Sequence, residues 1–357
     1  MKKKIGVVTI FDASGNIGNK LQNYAVVKTY ERLGYECHTL ATEKRVNFLV
    51  VLKFTILNWA RFIIKHKKKF NPYNFKRVYR FEKFNSLLNV DYSLIKGSSL
   101  DYDCYSVGSD QVWNPNFYRY DERRKSFYFL TFTECKTKIA FSPSFSIDSI
   151  PNEWKEWFTN KLNTFSALSV REETGVRIIK NLTGKDATLL VDPTMLLSCE
   201  DWRKISKRPN KVNREKYFLT YFLSSKCDEA KELINELNEK MTKYEILNPD
   251  DKAVGNADPA EFLWLVEHAE IILTDSFHAS VFSFLFNKPF IVYDRKWNKG
   301  NINSRLVTLL SKFHIERKYA SSGLGNDIWE HDYSEGYKQL ENERKKAKNY
   351  LKEALED

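Results

Sequence analysis

The stretch Ile271–Arg295 limits the fold of this chain more than any other. The run Glu270-Ile271-Ile272-Leu273-Thr274 is short and apolar, as a buried parallel strand requires. Asp275 and Ser276, both strong N-cap types, come next, and a helix-compatible run extends from Phe277 to Asn287. Pro289 stops that helix and a second apolar run, Phe290–Tyr293, follows. The unit reads strand, turn, helix, strand, and it puts His278 in the first turn of the helix. Open α/β sheets bind ligands at the carboxyl ends of their strands, and helix N-termini attract anions. A histidine there either helps cap the helix or hands a proton to a group beside a bound phosphate.

The same arrangement recurs along the chain. Ile5–Phe11 is a β-rich run leading into a Gly/Asn-rich turn, Asp12 to Asn19, and Leu21–Leu33 has helical spacing. The turn is not a GxGxxG fingerprint. Asn16, Asn19, Gln22 and Asn23 cluster where the helix begins, and such amides serve hydroxyl-rich ligands or ordinary capping equally well. Further strands end in Gly108-Ser109-Asp110-Gln111, in Ser142–Ser146, in Arg171-Glu172 and in Asp192-Pro193-Thr194, so polar groups gather along one edge of a sheet. Asp110 either caps a turn or acts in chemistry, and Arg171 either meets an anionic ligand or pairs with Glu172 or another acid. A basic, polar stretch with Pro209 at Asp201–Arg214 marks a boundary, and a second strand series opens at Tyr217–Leu223. At 357 residues the chain is long for one core. The expected fold is α/β, with two Rossmann-like domains facing across a cleft, residues 1–205 and 206–357. The second carries the His278 motif and a C-terminal helix starting after Tyr333.

Charge is concentrated. Residues 44–83 hold twelve Lys or Arg against one acid, Glu82, and the rest of the chain is balanced at 45 of each sign. A uniformly basic nucleic-acid binder is therefore a poor description. Within this window Val46–Ile64 is interrupted by Asn47, Lys53, Asn58 and Arg61, which argues against a bilayer span. At helical spacing Asn47, Asn58, Arg61, Lys65 and Lys68 share one side, with Phe48, Leu52, Ile56, Trp59 and Ile63 largely away from it. A basic amphipathic helix with a tryptophan fits an anionic membrane surface; alternatively it packs on the protein's own core. The five cysteines are dispersed, without metal-like spacing, and fit a reducing compartment. Asp12 ends the first apolar run too early for a signal peptide. A cytoplasmic location is expected, peripheral at the inner face of the membrane, with no metal.

Six segments together resemble the polysaccharide pyruvyl transferase family: Gly15–Ala25, Val107–Asn114, Ser142–Ser146, Ser169–Glu172, Val191–Thr194 and Thr274–Ala279. They fall in order over residues 5–310. The resemblance implies two Rossmann-like domains akin to GT-B glycosyltransferases, and transfer of pyruvyl from phosphoenolpyruvate to a sugar of a cell-surface or lipid-linked glycan, as a cyclic ketal. It implies phosphoenolpyruvate as donor substrate and no cofactor. Family members often carry an arginine at the position of Ser276, whose hydroxyl supplies a hydrogen bond but no charge. The donor's phosphate and carboxylate then fall to Arg171, Arg295 or Arg305, with Ser276 beside them. His278 becomes the general acid and Asp110 the group that orients or deprotonates an acceptor hydroxyl, Arg171 completing the catalytic set. Asn16, Asn19, Gln22, Asn23 and Gln111 become acceptor contacts. A nucleotide-sugar glycosyltransferase of similar architecture and a non-catalytic glycan-binding protein are the alternatives.

Overall fold

The computed structural model describes residues 2–11, 16–44, 56, 73–98, 100–117, 121–213, 216–248, 250–295, 303–322 and 327–356, except for the side chains of 73–78 and 322. The first unit holds strands β1 (Lys4–Val8), β2 (Glu36–Leu40), β3 (Val90–Asp91), β4 (Cys104–Val107) and β5 (Lys138–Ala140). They form one parallel sheet in the order β3-β2-β1-β4-β5. Two further parallel strands, β6 (Ser169–Val170) and β7 (Thr188–Leu189), continue beyond β5, joined by the Ile139–Ala167 bridge. The second unit holds β8 (Tyr217–Tyr221), β9 (Thr242–Ile246), β10 (Ile271–Thr274) and β11 (Phe290–Val292), all parallel, in the order β11-β10-β8-β9. Strands β8 and β10 are buried along their whole length, as apolar runs covered by helices on both faces must be. The α/β class and the two Rossmann-like units expected from the sequence are the observed architecture.

Each sheet reverses its strand order once, between β1 and β4 and between β8 and β10, and open α/β sheets bind ligands beside such reversals. The strand–helix–strand unit expected at Ile271–Arg295 is present: β10, the helix Phe277–Leu285, then β11. The first helix begins earlier than its apolar spacing suggested. It spans Ile17–Arg32, because the Asn16 side chain accepts the Asn19 amide at 3.2 Å and so starts the helix inside the glycine-rich segment.

The two units share a core. Ile17, Leu21 and Tyr24 of the first helix pack in one cluster with Trp202, Phe262, Phe277 and Phe282. The C-terminal helix, Ser334–Glu356, follows the second unit in sequence but does not stay with it. Leu340 joins the shared core, whereas Ala347, Leu351, Ala354 and Leu355 pack with Ile5, Val7, Val26 and Tyr30 under the first sheet. Tyr350 donates to the Ala140 carbonyl at 2.7 Å. The helix is long enough to cross from one unit to the other, while the strands of the two sheets are separate in sequence, β7 ending at Leu189 and β8 starting at Tyr217.

Of the basic window, the helix Tyr73–Phe84 is described. Arg80 pairs with Asp258 at 3.3 Å and with Glu261, at the start of the helix Pro259–His268. The amphipathic helix expected at Val46–Ile64 lies, apart from Ile56, outside the described residues. Among the described residues, no helix is long and apolar enough to cross a membrane.

Candidate active site

Four strand ends of the first unit and one of the second converge. After β4, Gly108 turns with φ of 112°, where a Cβ would come within 2.4 Å of the Phe141 carbonyl oxygen, so only glycine fits. Asp110 and Ser142, on the turns after β4 and β5, both sit at left-handed φ, 69° and 52°. Non-glycine residues held there are concentrated at functional sites. Gln22 fixes this edge from the first helix. Its Nε2 donates to Thr9 Oγ1 at 2.7 Å and its Oε1 accepts the Ser109 amide at 3.1 Å.

Arg171, on the turn after β6, is buried between two carboxylates. It donates to Asp110 Oδ1 at 2.7 Å and to Asp192 Oδ2. Its partner is therefore not Glu172. Glu172 Oε1 instead accepts from Ser144 Oγ and from the amides of Phe145 and Ser146, at 2.7 to 3.2 Å, and so holds the loop after β5 in place. Burial works against charge on Asp110, Asp192 and Arg171. Arg171 nonetheless draws both carboxyls below their ordinary range, and they in turn raise the guanidinium.

From the second unit, Phe277 and His278 enter this network. Phe277 meets two guanidiniums, with the Arg171 Cζ 4.8 Å and the Arg305 Cζ 5.6 Å from its ring centre. Arg305, on the helix Ser304–Lys312, approaches Asp110 Oδ1 at 3.6 Å, and its Nε is buried without a hydrogen-bond partner among the described residues. Burial, and then the like charge of Arg171, push Arg305 down to about 9 against the pull of Asp110 and Glu172, so it remains a cation at neutral pH. The His278 imidazole packs against Gly18 of the first helix, and its Nε2 lies 3.8 Å from Asp192 Oδ2. Burial pulls this histidine below its ordinary value, opposed by Asp192 and Asp110.

The residues expected at the site are thus partly brought together. His278, Asp110, Arg171 and Arg305 form one cluster, and Arg295 is near enough to add to the positive field at Arg305. Ser276 is the helix N-cap, its hydroxyl accepting the Ala279 amide at 3.4 Å. Asn16 caps the first helix and Asn19 is buried in its first turn. Gln22 and Asn23, expected to meet an acceptor, are internal braces instead. Both are fully buried, with Gln22 engaged as above and Asn23 accepting from Thr39 Oγ1 at 2.9 Å. Gln111 remains beside Asp110, with its Oε1 buried and unpartnered among the described residues. Gly18, Ser109, Asp192 and Phe277 are the site members that residue typing missed. The Asp-Pro-Thr turn at Asp192 was the one visible signal, a carboxylate at a strand end like Asp110.

The arrangement offers a buried cation whose Nε is free among the described residues, a histidine able to take up or release a proton, and carboxylates held ionised. It suits a small, multiply charged anion that reacts by proton transfer. The sequence profile of the polysaccharide pyruvyl transferase family matches residues 16–296 of the chain. No curated protein matches it by sequence. Among solved structures, a glycosyltransferase from Rickettsia africae ESF-5 is similar at 12% identity, covering 100% of this chain and 99% of that one, with a TM-score of 0.44. UDP-GlcNAc 2-epimerase from Neisseria meningitidis, bound to UDP-GlcNAc, is similar at 12% identity over 99% of both chains, with a TM-score of 0.46. The glycosyltransferase SnogD from Streptomyces nogalater gives 9% identity, 99% and 100% coverage, and a TM-score of 0.44.

Proposed function

Because the chain belongs to the polysaccharide pyruvyl transferase family and is a transferase, we propose that it moves the pyruvyl group of phosphoenolpyruvate onto two hydroxyls of a glycan, forming a ketal. One observation carries this reading. Arg305 is a desolvated guanidinium whose Nε has no hydrogen-bond partner among the described residues, and it shares Asp110 and the Phe277 ring with Arg171, near a histidine whose Nε2 has none either among those residues. Phosphoenolpyruvate carries a carboxylate and a phosphate and accepts a hydroxyl at C2 once its methylene carbon is protonated, which matches that set. Arg305, with Arg295 near, receives an anionic group. Arg171 is committed to Asp110 and Asp192 and serves mainly to hold them.

In the reaction, protonated His278 gives its proton to the methylene carbon, which becomes the methyl group, and C2 becomes cationic. A sugar hydroxyl adds to C2 and loses its proton, with Asp110 oriented to receive it. The C2–phosphate bond then breaks, phosphate leaves, and the second hydroxyl closes the ketal with loss of its proton. Protons are conserved: the two from the sugar replace the one gained by carbon and supply the one carried off by phosphate.

The test is calorimetric titration of phosphoenolpyruvate into the full chain, the Arg305→Ala variant and the His278→Gln variant. Saturable binding that Arg305→Ala abolishes supports the reading. Binding of UDP or GDP with none of phosphoenolpyruvate would replace it with nucleotide-sugar chemistry. The acceptor we propose is a lipid-linked oligosaccharide at the cytoplasmic face of the membrane, approached through the basic window 44–83. Deletion of residues 46–69 is expected to release the folded protein from phosphatidylglycerol vesicles, and unchanged binding would remove the membrane from this account.

A further inference from the structure

We propose that Asp192 is the positioning residue for His278: its Oδ2 receives the imidazole Nε2–H, which leaves Nδ1 as the atom that carries the mobile proton. The carboxylate is aimed by its own turn. Pro193 opens the short helix Pro193–Leu196 and Asp192 caps it, so that Oδ1 accepts both the Thr194 amide at 3.0 Å and the Thr194 hydroxyl at 2.7 Å. With Oδ1 filled, Oδ2 is left for Arg171, for Ser109 Oγ at 3.2 Å, and for His278.

On the other side, His278 Nε2 is buried and has no hydrogen-bond partner among the described residues, and a carboxylate oxygen lies 3.8 Å away. At that distance the carboxylate already favours a proton on the nitrogen that faces it, by charge alone, and a shift of under about 1 Å completes the hydrogen bond, as such contacts tighten when substrate binds. The shift has an obvious coordinate. Asp192 belongs to the first unit and His278 to the second, so a small closure of one unit on the other shortens this distance directly. The ring cannot simply swing away, because its Nδ1 edge lies over Gly18.

A neutral imidazole has one N–H, and a fixed acceptor decides which nitrogen bears it. Burial lowers the His278 pKa; Asp192 and Asp110 raise it, and Arg171 and Arg305 lower it. Asp192 therefore both orients the ring and supports its cationic form. The role of the Nδ1 proton rests on the pyruvyl-transfer reading. That proton passes to the methylene carbon, the N–H bond breaking as the C–H bond forms, and it is replaced from the sugar hydroxyl.

The experiment uses 15N-labelled full-length chain without any ligand, with two-bond 1H–15N correlations of the imidazoles and His278 assigned through His278→Gln. The expected result is a pyrrole-type Nε2 and a pyridine-type Nδ1 when the ring is neutral. In Asp192→Asn the His278 titration and the alkaline limb of the transfer rate should both move down by about one pH unit, the usual least effect of an adjacent opposite charge. Because Asp192 also binds Arg171, that variant is liable to unfold. Thr194→Val keeps every charge and loosens only the aim of the carboxylate, and it should reduce the Nε2–H share. A wild-type Nδ1–H tautomer, or a folded Thr194→Val with unaltered His278 resonances, overturns the assignment. Failure of phosphoenolpyruvate to bind would undo the functional reading while leaving the tautomer result standing.

Discussion

Replacing Gly18 with alanine tests the junction of the two units with one methyl group. An added Cβ would lie 2.1 Å from His278 Nδ1 and 2.7 Å from its Cε1 and Cγ. Ordinary contact needs about 3.4 Å, so the ring must retreat by about 1.3 Å. The ring is buried, with its Nε2 3.8 Å from Asp192, which Thr194 and Ser109 hold in place. Overpacking of this kind costs about 1–3 kcal/mol. Alanine in place of glycine inside a helix returns about 0.5–1 kcal/mol. The net loss of stability is then about 0–2.5 kcal/mol, and the chain stays folded. Displacing a catalytic group by about 1 Å costs on the order of 100-fold in rate. The expected signature is thus a split: melting temperature nearly kept, activity nearly gone. The assay is covalently bound pyruvate, freed by mild acid from the surface glycan of cells whose only copy is the variant, beside a thermal melt of the purified protein. Gly34→Ala is the control. It lies at the far end of the same helix with φ of 96° and nothing near its Cβ, so it carries backbone strain of about 1 kcal/mol without touching the site. Wild-type pyruvylation by Gly18→Ala at wild-type protein level would refute the packing of His278 on Gly18 or its part in the reaction.

Other consequences separate the roles of neighbouring groups. Arg171→Ala takes from two buried carboxylates the cation that bridges them and should destabilise the fold by about 3–5 kcal/mol in urea melts, whereas Arg305→Ala removes a more weakly paired cation, should cost far less, and should abolish donor binding. His278 is held below its ordinary pKa by burial, so the unfolded chain binds its proton more readily; stability should fall as pH drops below about 6.5, toward the folded value, and His278→Gln should flatten that slope between pH 7.5 and 5.5. A bound dianion raises the same group, so donor binding near neutral pH should take up protons, read as a dependence of binding heat on buffer ionisation enthalpy that His278→Gln reduces. Leu351→Ala, under the first sheet although near the C-terminus, should cost about 2–5 kcal/mol and speed amide exchange in β1 rather than in β10.

The sequence was enough to determine the local units. Apolar runs ending in Asp, Ser or Arg set the strands, N-cap residues and Pro289 set the ends of the His278 helix, and the repeated strand–helix alternation required parallel sheets. His278, Asp110, Arg171 and Arg305 could be named because proton donors and cations at strand ends and helix starts are chemically conspicuous. What they touch was decided by tertiary structure. Arg171 looked like a donor-binding arginine and is a brace between Asp110 and Asp192; Gln22 and Asn23 looked like ligand contacts and hold the first sheet together. Asp192, a strand-end carboxylate in the sequence, and Gly18 became parts of the site because folding set His278 beside both. The C-terminal helix, placed by chain order with the second unit, begins against it at Gly336 and Tyr337 and ends under the first sheet for the same reason. Periodicity and capping act over a few residues and are written in the chain. Partner choice among buried charges, and the face a long helix covers, depend on which groups folding brings within a few ångströms, often from residues far apart in sequence.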